Sequence, residues 1–382
     1  MGIPNKIDGH VHFTHPMKAE QLIRLMDRTG TERANLVLVP SRQRLTCVPE
    51  ALMAKAQYPD RFYVFTSLDV SEYFRHRKDF GKYMARFVSS MRRMGCDGLK
   101  LIEGKPNMRK MFPTPDFDQP VWEPLWDYAE KTALPILWHV NDPETCWQPD
   151  KAPRHIRMAG ELYDGTYVNN EDQYRQIEAV LQRHPNIHIV FAHFYFMTAQ
   201  LPRLAALLDK YPGMMVDITP GLEVYVNFSK DPETASAFFE KYQDRILYGT
   251  DIGSRCVLSY AHTAPEEAES LARVDLIEKQ FDPRTHRLME EDGAYLINTE
   301  PFTQRGLTLS PEAMEKIFRT NFLKLVGEPA PLRPRLIRKE CRRIRMMLKI
   351  MRMIDKSMTP DDSVAKNALA FFNKRKNFGG SI

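Results

Sequence analysis

The chain has 382 residues, 43% of them hydrophobic and 27% charged, with a formal net charge of +5. A chain this long buries roughly three-quarters of its unfolded surface, so it needs neither disulfides nor a structural metal to hold a core. Mean hydropathy is −0.44 and no apolar run reaches the ~18 residues of a membrane span, which excludes an integral helical membrane protein, while 10% aromatics and recurring apolar blocks exclude wholesale disorder.

From residue 6 to 327 short apolar runs alternate with longer amphipathic stretches. Strands are expected at Lys6–Val11, Ala34–Val39, Phe62–Leu68, Gly98–Ile102, Pro135–His139, His188–Ala192, Met214–Ile218 and Ile246–Thr250. Helices are expected at Pro16–Arg28, Pro49–Gln57, Lys82–Met94, Val121–Lys131, Asp172–Arg183, Thr198–Lys210, Asp231–Tyr242 and Pro311–Val326. The last opens on Ser310 as N-cap, with Pro311 at the first helical position and Glu312 after it. Strand–helix alternation repeated eight times points to an α/β protein of the closed (β/α)8 TIM barrel type. No GxGxxG or GxxxxGK[ST] motif supports nucleotide binding. Two long connections, Asn141–Asn170 and Ile252–Ser310, follow strands and are expected over the C-terminal mouth as lids or substrate walls. The expected division is residues 1–330 as the barrel and 331–382 as a basic helical extension.

That extension carries the charge asymmetry. From Arg333 onward there are 14 Lys/Arg against four acids, which leaves the body mildly acidic. Ile337, Cys341, Ile344, Leu348 and Met351 recur at three- and four-residue spacing over Arg335–Ile354, the pattern of a helix with one apolar face. The plain expectation is a helix packed on the body or on a second copy in a homo-oligomer. The sharper one is a surface for anionic lipid or nucleic acid, and the lack of interleaved aromatics counts against nucleic acid. Cys47, Cys96, Cys146, Cys256 and Cys341 are an odd, scattered set without a CxxC pair, as expected of free thiols in a reducing cytoplasm. The opening residues show neither a secretory leader pattern nor a myristoylation signal.

The chemistry lies at the strand ends. The first strand runs Ile7-Asp8-Gly9-His10-Val11-His12, and residues two apart in a strand share a side. Strand five ends at His139, strand six is followed by His193, and strand eight leads into Thr250-Asp251. Four imidazoles and a carboxylate at one end of a barrel suit a divalent metal: Zn²⁺ first, with Mn²⁺ or Fe²⁺ as alternatives. His15, His76, His155, His184, His188, His262 and His286 read as surface or loop residues, although His262 lies in the long loop after strand eight. Arg42, Arg255 and Tyr195 are candidates to hold an anionic substrate, the arginines as bidentate carboxylate clamps. Asp217 is a candidate to orient a ligand imidazole, or else a helix cap.

The opening IDGHVHF, the GLKL of strand four, His139, the AHF of strand six, the YGTD of strand eight and the closing IFRTNFLKLVG with Asn321 together resemble the amidohydrolase superfamily. Within it they resemble the amidohydrolase-related branch, which includes decarboxylases of the aminocarboxymuconate-semialdehyde type. The resemblance spans about residues 6–327. It implies His10, His12, His139 and Asp251 as ligands of one metal, with His193 and Asp251 handling protons. Lys100 has two readings: a carboxylated bridge between two metals, as in binuclear members, or an unmodified cation for a substrate carboxylate. Glu103 is an alternative ligand or base. The expected activity is attack of a metal-activated water on the carbonyl of an amide, ester or lactone in a small anionic substrate. The alternatives are a nonhydrolytic decarboxylase and a catalytically idle barrel that binds partners through its basic tail.

Overall fold

The computed structural model describes the chain except residues 1–2, 4, 14–17, 41–44, 70–71, 74, 153–155, 158–160, 222, 255–266, 290–300, 358 and 376–382. Eight parallel strands form one sheet in sequence order: β1 (Lys6–His12), β2 (Thr31–Val37), β3 (Phe62–Thr66), β4 (Gly98–Gly104), β5 (Ile136–Val140), β6 (Ile189–Phe191), β7 (Met214–Asp217) and β8 (Ile246–Leu247). Helices follow the strands and cover the outer face of the sheet, its inner face closes on itself, and the strands are buried throughout, except Glu32 and Arg33 of β2. The sheet closes through backbone bonds from Gly9 N to Tyr248 O (3.0 Å), Asp251 N to His10 O (2.8 Å) and His12 N to Ile252 O (2.8 Å). The molecule is thus the (β/α)8 barrel that the alternation predicts.

The lower barrel interior is filled by Ile7, Val37, Tyr63, Phe65, Leu137, Val190, Met215 and Leu247, with Phe322 packed among them. A register irregularity between Asp8 and Val11 breaks the simple alternation of β1. Ile7 therefore packs in that apolar plug while His10 and His12 also reach the interior. Asp8 ties the seam: its carboxylate accepts from Thr250 N at 3.1 Å, Thr250 Oγ1 at 2.6 Å and His10 N at 3.1 Å.

The expected single helix Pro311–Val326 starts as predicted, with Ala313 N donating to Ser310 Oγ at 3.1 Å. It contains a π turn over Lys316–Thr320, and the Ile317 carbonyl accepts from Tyr248 N at 2.9 Å. That carbonyl serves the strand end, which is a physical reason for the irregular turn. The basic helix Pro334–Ile354 packs on the body: Ile337, Cys341, Ile344 and Leu348 join the apolar cluster that includes Leu52, Phe62 and Met91. A helix the sequence reading missed, Ser363–Lys374, adds Ala365, Ala368 and Phe372 to the same cluster. Two further elements went unforeseen in the long connection after β8: the helix Glu267–Gln280 and the antiparallel pair β9 (His286–Met289) and β10 (Phe302–Arg305). Cys96, Cys146 and Cys341 are buried free thiols, and Cys47 is buried as well. No helix of the described residues is long and apolar enough to cross a membrane.

Candidate metal centre at the barrel mouth

His10 and His12 share one side of β1, as their spacing requires, and turn their Nε2 atoms toward each other at 3.2 Å. Asp251, just past β8, places Oδ1 at 3.3 Å from His12 Nε2 and 3.5 Å from His10 Nε2. The three atoms form a nearly equilateral triangle. A four-coordinate ion with ligand bonds of about 2.0–2.1 Å has ligand–ligand edges of roughly 3.3 Å, so the triangle matches one face of such a tetrahedron. All three residues are buried.

Their charge states suit the same role. Burial holds the His10 imidazole well below its ordinary range, with Lys100 adding to the effect. Burial likewise lowers His12. For Asp251 burial pushes the other way, but the His12 hydrogen bond and the facing imidazoles outweigh it and hold the carboxyl well below the usual range. The result is two neutral nitrogen donors and one carboxylate, a donor set for a divalent cation.

Asp217 at the end of β7 is the organiser of the site. Its Oδ2 meets His10 Nδ1 at 2.8 Å, and its Oδ1 accepts from His193 N at 2.8 Å and Thr219 N at 3.1 Å. The bond to Nδ1 assigns the proton there and leaves the His10 Nε2 lone pair facing the triangle. Of the two readings given to Asp217, the structure supports the orienting one.

Lys100, 1% exposed, sets Nζ at 3.1 Å from His10 Nε2. Its ammonium is the positive charge beside Asp251 and the imidazoles, and burial lowers it to about 8. Glu103 is also buried; Oε2 accepts from Ile102 N at 2.9 Å and Oε1 has no partner among the described residues. Burial raises its carboxyl to about 7.

His139 and His193 stand beside the triangle rather than in it. Their rings are 4.8 Å apart, and the His193 ring is 5.9 Å from that of His10. His139 Nε2 lies 3.0 Å from Asn141 O and 3.4 Å from Asp142 Oδ1. Burial pulls His193 down to about 3, and its Nδ1 meets Thr219 Oγ1 at 3.1 Å. Residues His193, Phe194, Tyr195 and Phe196 all have positive φ, between 53° and 58°, a left-handed turn that costs roughly 1–2 kcal/mol per residue. Asn141 (φ 73°) and Asp251 (φ 58°) share this conformation, so backbone strain gathers at the ends of β5, β6 and β8.

The turn also corrects one expectation. Tyr195 is 2% exposed and stacks on Phe191 at 4.0 Å, inside the packed core and not at the mouth. A second correction concerns His184, read as a surface residue: it is buried, with Nε2 at 2.9 Å from Glu123 and Nδ1 at 3.3 Å from Glu130. Arg42, Arg255 and His262 lie outside the described residues.

Two further pairings complete the site. Arg273, on the helix Glu267–Gln280, reaches Asp251 Oδ2 at 3.4 Å and is itself buried. Lys105 and Asp142 form a buried pair at 2.7 Å, to which Tyr163 donates its hydroxyl at 2.6 Å. This pair anchors the first long connection beside His139. Neither has a local signal, because each partner comes from a different strand–loop unit.

The family model described as Amidohydrolase matches residues 7–327, and the chain belongs to that family. No curated protein matches the sequence. Among solved structures, a dihydroxybenzoic acid decarboxylase from Polaromonas sp. JS666 with bound manganese is similar at 15% identity and TM-score 0.51, covering 85% of this chain and 97% of that one. A 2,6-dihydroxybenzoate decarboxylase from Rhizobium is similar at 15% identity and TM-score 0.50, covering 85% and 98%. A 4-oxalomesaconate hydratase from Rhodopseudomonas palustris is similar at 13% identity and TM-score 0.50, covering 85% and 96%. At these identities the likeness is one of fold.

Proposed function

We propose that this amidohydrolase-family enzyme is a metal-dependent hydrolase acting on an amide, ester or lactone carbonyl of a small anionic substrate. The observation that carries the reading is the buried His10–His12–Asp251 triangle, whose 3.2, 3.3 and 3.5 Å edges fit one divalent ion. Zn²⁺ suits two imidazoles and a carboxylate, and Mn²⁺ is the alternative. When bound, such an ion lowers the pKa of a water toward ~7 and polarises a carbonyl oxygen.

The protein side chains supply the rest. Asp217 holds His10 in the tautomer that offers Nε2. His193, kept neutral by burial, accepts a proton at the ring nitrogen not engaged by Thr219 and returns it to the leaving group. Asp251 assists that transfer. Lys100 offers the cation that receives a substrate carboxylate, and Arg42 and Arg255 are proposed as a second anion clamp. His139 lines the same rim and is kept as a candidate fourth ligand. The buried thiols support a reducing, cytoplasmic site of action.

A decarboxylase is the second reading. It is favoured by Lys100, a buried cation against His10, and by two similar structures that are benzoate decarboxylases. Incubation with an ester and lactone panel, and separately with hydroxylated benzoic acids, decides between them. Acid release from esters or lactones supports hydrolysis; CO₂ release without hydrolysis overturns it.

A further inference from the structure

Of the large hydrophobic side chains exposed among the described residues, four of five lie on one helix, Pro334–Ile354: Met346 (55%), Ile350 (40%), Met353 (79%) and Ile354 (82%). They are not the face the sequence pattern singles out. That face, Ile337, Cys341, Ile344 and Leu348, is buried on the body. The exposed residues continue a second stripe on the opposite side, Arg335, Lys339, Arg342, Met346, Lys349, Ile350 and Met353, at three- and four-residue spacing. Its first half is basic, and aliphatic groups dominate its last two turns.

The cations on this stripe are uncommitted. Arg338, Arg343 and Arg345 are bound to Phe372 O, Glu340 and Asp362. Arg335, Lys339, Arg342, Lys349 and Arg352 have no ion-pair partner among the described residues, and Lys356 follows just past the helix. Asp355, just past the helix, accepts from Ser357.

We propose that this face docks the protein on an anionic lipid surface. A helix lying in the interface presents aliphatic side chains to the acyl boundary and Lys/Arg to lipid headgroups, which is the composition found here. A second copy of the chain fits less well, because pairing the stripe with itself brings Arg342 and Lys349 against like charge. Nucleic acid would satisfy the cations but leave Met353 and Ile354 in water, with no aromatic on the stripe to stack a base. The barrel mouth and its metal ligands are not involved, so the inference stands or falls apart from the catalytic reading.

The test is co-sedimentation of the full-length protein with phosphatidylcholine vesicles, with and without about one-third phosphatidylserine. Binding is expected only to the anionic vesicles and is expected to fall as salt rises. Met353→Asp/Ile354→Asp and Arg342→Glu/Lys349→Glu should each reduce the bound fraction at least about tenfold. Thermal melting and metal content should stay at wild-type values in both variants. Wild-type protein that stays in the supernatant overturns the proposal, as do variants that pellet like wild type. So does a dimer in light scattering that Met353→Asp/Ile354→Asp dissociates, or a preference for RNA over anionic vesicles.

Discussion

The Asp217 carboxylate meets His10 Nδ1 at 2.8 Å across a sequence separation of 207 residues, and its other oxygen holds the His193 backbone amide at the same distance. One side chain thereby sets the proton position of a β1 imidazole and the path of the chain after β6. The triangle is thus held by a carboxylate that is not one of its three corners.

Asp217→Asn is therefore expected to weaken metal binding about 10–100-fold while the barrel stays folded. Chelator competition measures the affinity and circular dichroism the fold. An unchanged affinity would reduce Asp217 to a cap on the β7 turn.

Gly249 explains the glycine of the YGTD stretch. A Cβ there would lie 2.9 Å from His10 Cβ and 2.8 Å from Thr219 Cγ2. Gly249→Ala is expected to displace the His10 ring and lower metal affinity more than Gly165→Ala, whose added methyl meets nothing within 4 Å. Equal affinities in the two variants would contradict the tight packing behind His10.

The Lys105–Asp142 pair yields a prediction in pH. Burial works against the Asp142 carboxylate, but Lys105 and the His139 hydrogen bond more than offset it and hold the carboxyl well below its ordinary value. A depressed carboxylate stabilises the fold above its unfolded pKa, and that contribution is lost as pH falls through the folded value. Asp142→Asn is expected to cost up to about 3 kcal/mol near neutrality, because it leaves Lys105 buried with Glu161, 3.4 Å away, as its remaining counter-charge. The gap between wild type and variant should be constant from pH 5 to 8 and narrow below about pH 4. Denaturant melts at several pH values measure it.

The barrel was legible because its signals are local. Each strand is a short apolar run bounded by turns, and the spacing of His10 and His12 alone puts both on one side of β1. The buried face of Pro334–Ile354 followed from its periodicity in the same way. Tyr195 was misplaced because four consecutive left-handed residues reverse the chain at 193–196, and no glycine announces them. Arg273 reaches Asp251 from a helix with weak amphipathic patterning, and Lys105 finds Asp142 only once two loops are folded together. Helix Ser363–Lys374 was overlooked because its burial depends on a partner helix that is itself an addition to the barrel. His139 lies at the expected strand end, but which way its ring turns is decided by Asn141 and Asp142, whose positions depend on the loop.

Metal content of wild type, His10→Ala, His12→Ala and His139→Ala, by elemental mass spectrometry on protein purified without a metal column, tests the central claim most directly. The account predicts about one Zn or Mn per wild-type chain. It predicts near-total loss in His10→Ala and His12→Ala with little change in melting, and substantial retention in His139→Ala, because the first two belong to the triangle and the third stands beside it. Full metal in His10→Ala, or none in the wild type after reconstitution, would contradict the assignment of a metal centre at this barrel mouth.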